Sequence, residues 1–180
     1  MAALGTTAPG FILPDTISGK PVSLQAIKGE VATVVMFICN HCPFVLHINA
    51  ELVKLANDYS DKKISFIAIS ANDVDMHPDD SPEKMKATGI LQQYPFPYLY
   101  DETQEVAKAF NAACTPDFFI YNTRLELVYR GQLDDSRPGN GIAVSGKDIR
   151  TALDSLINEQ PVSPEQKPAI GCNIKWKQVK

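Results

Sequence analysis

The chain has 180 residues, enough to bury a self-sufficient core without disulfide staples or a structural metal. Its 17 basic and 21 acidic side chains give a formal net charge of -4, which leaves no footprint for nucleic acid or an anionic membrane surface. Four cysteines are too few for a secreted disulfide scaffold, and in a reducing compartment such residues are more often catalytic or metal-binding.

The opening stretch MAALGTTAPGFILPDTISGK has neither a basic region nor a continuous apolar one, so no secretory signal is expected. The longest apolar run, Val31 to Cys39 with one Thr inside, falls far short of the roughly 20 residues that span a bilayer. A soluble, cytoplasmic protein with no membrane partner is the expectation. Gly19 to Pro21 separates FILPDTI from VSLQAI, and the alternation on both sides predicts a short N-terminal hairpin. VATVVMFI follows, continuously apolar and β-branched, the pattern of a central strand buried on both faces. Pro43 then stands where helices tolerate proline, in the first turn, and Phe44, Ile48, Leu52, Leu55 and Tyr59 recur on one helical face.

ISFIAIS, Ile64 to Ser70, reads as a second strand, and a strand-helix-strand unit of this kind demands parallel pairing with a right-handed crossover. ANDVDMHPDDSP reads as a loop, with His77 solvent-exposed, leading into a helix over 83–93. After PFPYLYD comes a short helix over 103–111, then DFFIYN and LELVYRG as an antiparallel hairpin turning at Thr123 and Arg124. DDSRPGNG has the composition of a turn-rich loop, and Gly146 with Asp148 opens a last helix over 146–158. GIAVSGK approaches a phosphate-binding loop, but Asp148 stands where the Ser or Thr should be and no strand precedes it. The expected class is α/β, a central mixed sheet flanked by helices with an N-terminal hairpin. Residues 1–160 form one domain, and 161–180 a tail whose Ile170, Ile174 and Trp176 predict that it docks.

CNHC, Cys39 to Cys42, therefore lies between a central strand and a helix N-terminus. A free thiol near pKa 8.5 is mostly protonated at neutral pH, and the positive end of a helix favours the thiolate that attacks. Cys39, at or just before that end, is the expected nucleophile, and Cys42, close enough to close a small ring, the resolving thiol. Cys-x-x-Cys beside such a unit in a cytosolic chain carries the sign of dithiol redox chemistry.

With GFILPDTISGKPVSL, VVMFICNHCPF, FPYLYDETQEVAKAF and CTPDFFIYNTRLELVYRGQLDD, the chain resembles the thioredoxin-like superfamily, closest to its redoxin branch of soluble thiol-disulfide proteins, over about residues 5 to 158. The resemblance implies a thioredoxin-like fold, a protein or small-molecule disulfide or thiol as substrate, an upstream thiol reductant or oxidant as partner, and no cofactor. It also implies that Pro116 is cis and packs opposite the CxxC, and that Thr115 contacts a bound substrate strand. Asn40 and His41, between the cysteines, are the residues that would tune the couple, since a His before the second Cys marks the more oxidising members. A couple less reducing than thioredoxin's about -270 mV is the expectation. The chain departs from the family in having Ile38 where members usually carry Trp, and in a strand-to-motif loop about two residues short. No buried acid behind the motif can be placed from sequence.

Two rival chemistries use the same residue types. A peroxiredoxin-type thiol peroxidase carries Pro-x-x-x-Thr-x-x-Cys; counting back from Cys42 finds Val35 and Cys39, and from Cys39 finds Ala32 and Met36, so neither frame fits. A Cu(I)-handling module could draw on Cys39, Cys42, His41 and His47, but the second ligand pair of a structural zinc is absent and His47 should project away from Cys39, so no metal site is assigned. Cys114, one residue before Thr115-Pro116, and Cys172, in the tail, are candidate additional redox thiols; a docked tail would let Cys172 resolve Cys39 or pair with Cys114.

Overall fold

The computed structural model describes residues 2–178. Five strands form the central sheet: β3 (Ala32–Phe37), β4 (Ile64–Ser70), β5 (Tyr98–Tyr100), β7 (Asp117–Tyr121) and β8 (Leu127–Gly131), in spatial order β5-β4-β3-β7-β8. β4 runs parallel to β3 and β5, whereas β7 is antiparallel to β3 and β8 to β7, so the sheet is mixed. The N-terminal hairpin is present as β1 (Ile12–Pro14) against β2 (Pro21–Ser23). Two-residue strands β6 (Cys114–Thr115) and β9 (Cys172–Asn173) pair with each other outside the main sheet.

All six residues of β3 are buried because both faces of the sheet are covered. Val34, Met36 and Ile38 point to a layer containing Val45, Ile48, Leu52 and Leu55 of α2 (Pro43–Asp58) and Ile149, Ala152 and Leu153 of α5 (Lys147–Ile157). Val35 and Phe37, one step out of phase, point to the other layer, with Leu13 of the hairpin, Leu24, Ala107 and Phe110. Arg150 ties α5 to α2, its guanidinium 2.6 Å from Glu51 and 2.8 Å from Asp58, while the Tyr59 hydroxyl donates to Asp154 at 2.6 Å.

Several boundaries differ from the sequence expectation for local reasons. VSLQAI is strand only through Ser23; the Ser23 hydroxyl accepts the Ala26 N–H at 3.2 Å and caps a one-turn helix, α1 (Leu24–Ile27). α3 (Pro82–Leu91) stops early, with Gln93 in the left-handed region, and the next helix, α4 (Glu105–Ala109), begins after a left-handed Gln104. The β7–β8 turn reaches Leu125, also left-handed, because the Asn122 side chain accepts the N–H groups of Arg124 and Glu126. The 134–141 loop is more than a turn: buried Asp134 accepts the N–H of Gly146 at 2.6 Å and so fixes the entry to α5.

The tail lies along the sheet edge. The Lys167 carbonyl accepts the Gln132 N–H at 3.1 Å, Ile174 is buried, and the Lys175 carbonyl accepts the Asp73 N–H at 2.8 Å. No helix among the described residues is long and apolar enough to cross a membrane.

Phe110 anchors the second layer, its ring centroid 5.5 Å from Phe37, 5.7 Å from Phe119 and 5.9 Å from Tyr121. Phe110→Ala is expected to cost about 3–5 kcal/mol. Urea unfolding should show this as a lowered midpoint with an unchanged slope. A loss below about 1 kcal/mol would contradict the packing described.

Candidate active site

β3 carries the chain into the motif, the Ile38 N–H still bonded to the Ile69 carbonyl at 3.0 Å. The strand-like backbone of Cys42 makes it the N-cap of α2, with Pro43 at the first helical position. Cys42 thus occupies the helix end that the sequence reading gave to Cys39, because the Asn40–His41 turn lies wholly before the helix.

That turn is held by a residue missed in the sequence. Asp80, fully buried, accepts the Asn40 N–H at 2.8 Å and the Asn72 side-chain amide at 2.7 Å, and lies 2.7 Å from His41 Nδ1. The His41 contact lacks the alignment of an N–H···O bond, so the two groups lie side by side without a directed bond. Asn40 is fixed at both ends of its amide, donating to the Asp79 carbonyl at 2.9 Å and accepting from the Tyr98 hydroxyl at 3.0 Å. His77 is half-buried rather than exposed and stacks on His41, centroids 5.5 Å apart and planes 4° from parallel. Asp80 supplies the buried acid that sequence could not place; its only advance signal was the Asp79-Asp80 pair after Pro78, in a stretch that read as loop.

Thr115 faces the two cysteines. Its peptide bond to Pro116 is cis. The Thr115 hydroxyl lies 3.5 Å from Cys39 Sγ, and in the neutral dithiol Cys42 donates its S–H to the Thr115 carbonyl at 3.1 Å. Cys39 and Cys42 also share a hydrogen bond. This pushes the Cys39 thiol well up, with burial and the Asp80 charge adding to the effect. Cys42 is lowered to about 4: the bond from Cys39 leads, burial opposes it, and the Cys172 thiol and backbone N–H help. The helix end acts in the same direction. The directions of the two shifts agree with the helix end, which Cys42 rather than Cys39 occupies.

Cys114 turns away, donating to the Pro116 carbonyl at 3.6 Å, and burial pushes its thiol up to about 12. His47 also turns away, to the Ser136 hydroxyl at 2.7 Å. Cys39, His41 and Asp80 bring three ligand atoms within 4.8 Å of one another. One thiolate, one imidazole and one carboxylate form a mixed set that suits a borderline divalent ion better than soft Cu(I), and Cys42 and His47 stand outside it.

A family model described as AhpC/TSA matches residues 4–130. The chain belongs to the AhpC/TSA family. A provisionally named peroxiredoxin of Mycobacterium tuberculosis is 32% identical over 108 residues, which is 60% of this chain and 63% of that protein, so the match spans under two thirds of the relative. Among solved structures, an uncharacterized conserved protein from Geobacillus kaustophilus is 59% identical with a TM-score of 0.98, covering 100% of this chain and 95% of its own. A hypothetical protein from Sinorhizobium meliloti is 45% identical with a TM-score of 0.97, covering 99% and 97%. A thioredoxin-type protein from Neisseria meningitidis, 24% identical with a TM-score of 0.66 over 88% and 95%, shares the thioredoxin-like fold. This redoxin-type family membership supports redox enzyme activity in general.

A depressed pKa means that the anion survives acidification until the pH nears that value. In reduced protein, one thiolate's absorbance near 240 nm should persist down to about pH 5 and fade towards Cys42's about 4, and Cys42→Ser should remove it. A signal appearing only between about pH 8 and 9 would contradict the assignment.

Proposed function

We propose that the protein is a thiol-disulfide oxidoreductase working through the Cys39–Cys42 dithiol and disulfide. The observation that carries the reading is the pair of buried thiols at the entry to α2, both in contact with Thr115. The Cys42 thiolate attacks one sulfur of a substrate disulfide, and the other substrate sulfur leaves and takes up a proton. Cys39 then gives up its proton and attacks Cys42 Sγ, which releases the reduced substrate and closes the Cys39–Cys42 bond. An upstream thiol reductant reopens it, or the cycle runs in reverse with an oxidant. This order reverses the expected division of labour, with Cys42 attacking and Cys39 resolving. Thr115 and Pro116 border the sulfurs, with the strand edge at Thr115 taken by β9, and Asn40 and His41, both held by Asp80, position the motif. A reducing cytoplasm is the compartment this chemistry suits.

A thiol peroxidase of the peroxiredoxin type is the second reading, favoured by the AhpC/TSA match, by the relative named for that activity, and by the low pKa of Cys42. The two part on which sulfurs are needed. The dithiol reading expects Cys39→Ser and Cys42→Ser each to slow dithiothreitol-driven insulin reduction by roughly two orders of magnitude, with hydrogen peroxide consumed no faster than by a free thiol. Rapid peroxide consumption that survives Cys39→Ser through a first turnover, with insulin reduction unaffected by that change, would favour the peroxidase instead.

A further inference from the structure

Cys39 and Cys42 are only 2% and 0% exposed, so a bulky substrate meets their sulfurs slowly. The tail packs beside Cys42, with the Cys172 thiol within hydrogen-bond reach of it. β9 pairs antiparallel with β6, Thr115 opposite Cys172 and Cys114 opposite Asn173. Gly171 sits so close that an added Cβ would come within 2.0 Å of the Thr115 carbonyl oxygen, so only glycine allows this approach. Residues directly opposite each other in an antiparallel ladder project to the same side, and their neighbours to the other. Cys172 therefore shares the side of Thr115, which touches both Cys39 and Cys42, whereas Cys114 lies on the reverse side. Cys172 also packs against the core cluster that contains Cys39 and Cys42, yet is only half-buried.

We propose that Cys172 is a third redox thiol, one that exchanges with Cys42 and carries the disulfide from the buried pair to the surface. The proposal rests on the dithiol reading above and says how its substrates reach the site. Starting from the oxidised pair, the Cys172 thiolate attacks Cys42 Sγ. The Cys42–Cys172 bond forms as the Cys39–Cys42 bond breaks, and Cys39 leaves and takes up the proton that Cys172 lost. No electrons enter or leave the chain in this step. The anion on Cys42 that holds the Cys39 proton in the reduced pair is absent while Cys42 is in a disulfide, so it does not hinder Cys39 as leaving group. An external protein or small-molecule thiolate then attacks Cys172 Sγ, and Cys42, whose thiol is lowered to about 4, departs as a good leaving group. A second external thiol resolves the mixed disulfide. The sum is two external thiols oxidised to one disulfide and one enzyme disulfide reduced; with a disulfide substrate the same steps run backwards.

The direct test is disulfide mapping. Reduced full-length protein is treated with one equivalent of diamide, quenched in acid, alkylated and analysed by peptide mass spectrometry. Wild-type protein should show the Cys39–Cys42 link; its absence would overturn the dithiol reading itself. Cys39→Ser and Cys39→Ser/Cys114→Ser should both close a Cys42–Cys172 link in most molecules. If wild type forms Cys39–Cys42 while both variants keep Cys42 and Cys172 as free thiols, the relay is overturned and the dithiol reading stands. As a second readout, Cys172→Ser should keep Cys39–Cys42 formation yet reduce insulin roughly tenfold more slowly. An unchanged insulin rate would overturn the relay.

Discussion

The structure around the motif depends on one residue's peptide unit and hydroxyl. Thr115 receives the Cys42 S–H on its carbonyl, touches Cys39 with its hydroxyl and pairs with Cys172 across a two-residue ladder. These contacts join three parts far apart in sequence: the helix start at Pro43, the edge before β7 and the C-terminal tail. Each makes the others tighter. The close approach of Gly171 to the Thr115 carbonyl holds the tail against a site in which both sulfurs are buried. A hydrogen bond in so dry a setting moves a proton more decisively than in water. The bond between the two thiols accordingly pushes Cys39 up and Cys42 down.

Asp80 is the second support. One buried carboxylate arranges the backbone of Asn40, the amide of Asn72 and the ring of His41, and its charge lies on the Cys39 side of the pair. A negative charge there opposes a thiolate on Cys39 and leaves the helix end to favour one on Cys42. The ring of His41 is turned to Asp80 and stacked on His77, so its influence on the sulfurs runs through that carboxylate.

Much of this was legible in the sequence, and what was not has physical reasons. β3, β4, α2 and α5 follow from strong periodicity, and Cys-x-x-Cys with Thr115-Pro116 marked the site from two distant stretches. Asp80 was not legible because Asn40 and His41 lie about forty positions away, and an acid in MHPDDSP has the composition of solvent-facing turn. β9 was not legible because two residues carry no period, and its pairing comes from a partner strand equally short. The helix boundary was misjudged by a few residues, a small error in length that changed which cysteine sits at the positive end. Residue type and spacing identified the chemistry; its direction depended on tertiary contacts.

The central claim, that Cys39 and Cys42 form a reversible redox pair whose reduced state is stabilised by a thiolate, is tested most directly by its potential. Full-length protein equilibrated across glutathione redox buffers, acid-quenched and alkylated, reports the fraction carrying the Cys39–Cys42 bond. The account predicts one two-electron transition at a potential above thioredoxin's about -270 mV, because stabilising the reduced form makes the disulfide a stronger oxidant. No Cys39–Cys42 bond at any poise, or a potential at or below that of thioredoxin, would contradict it.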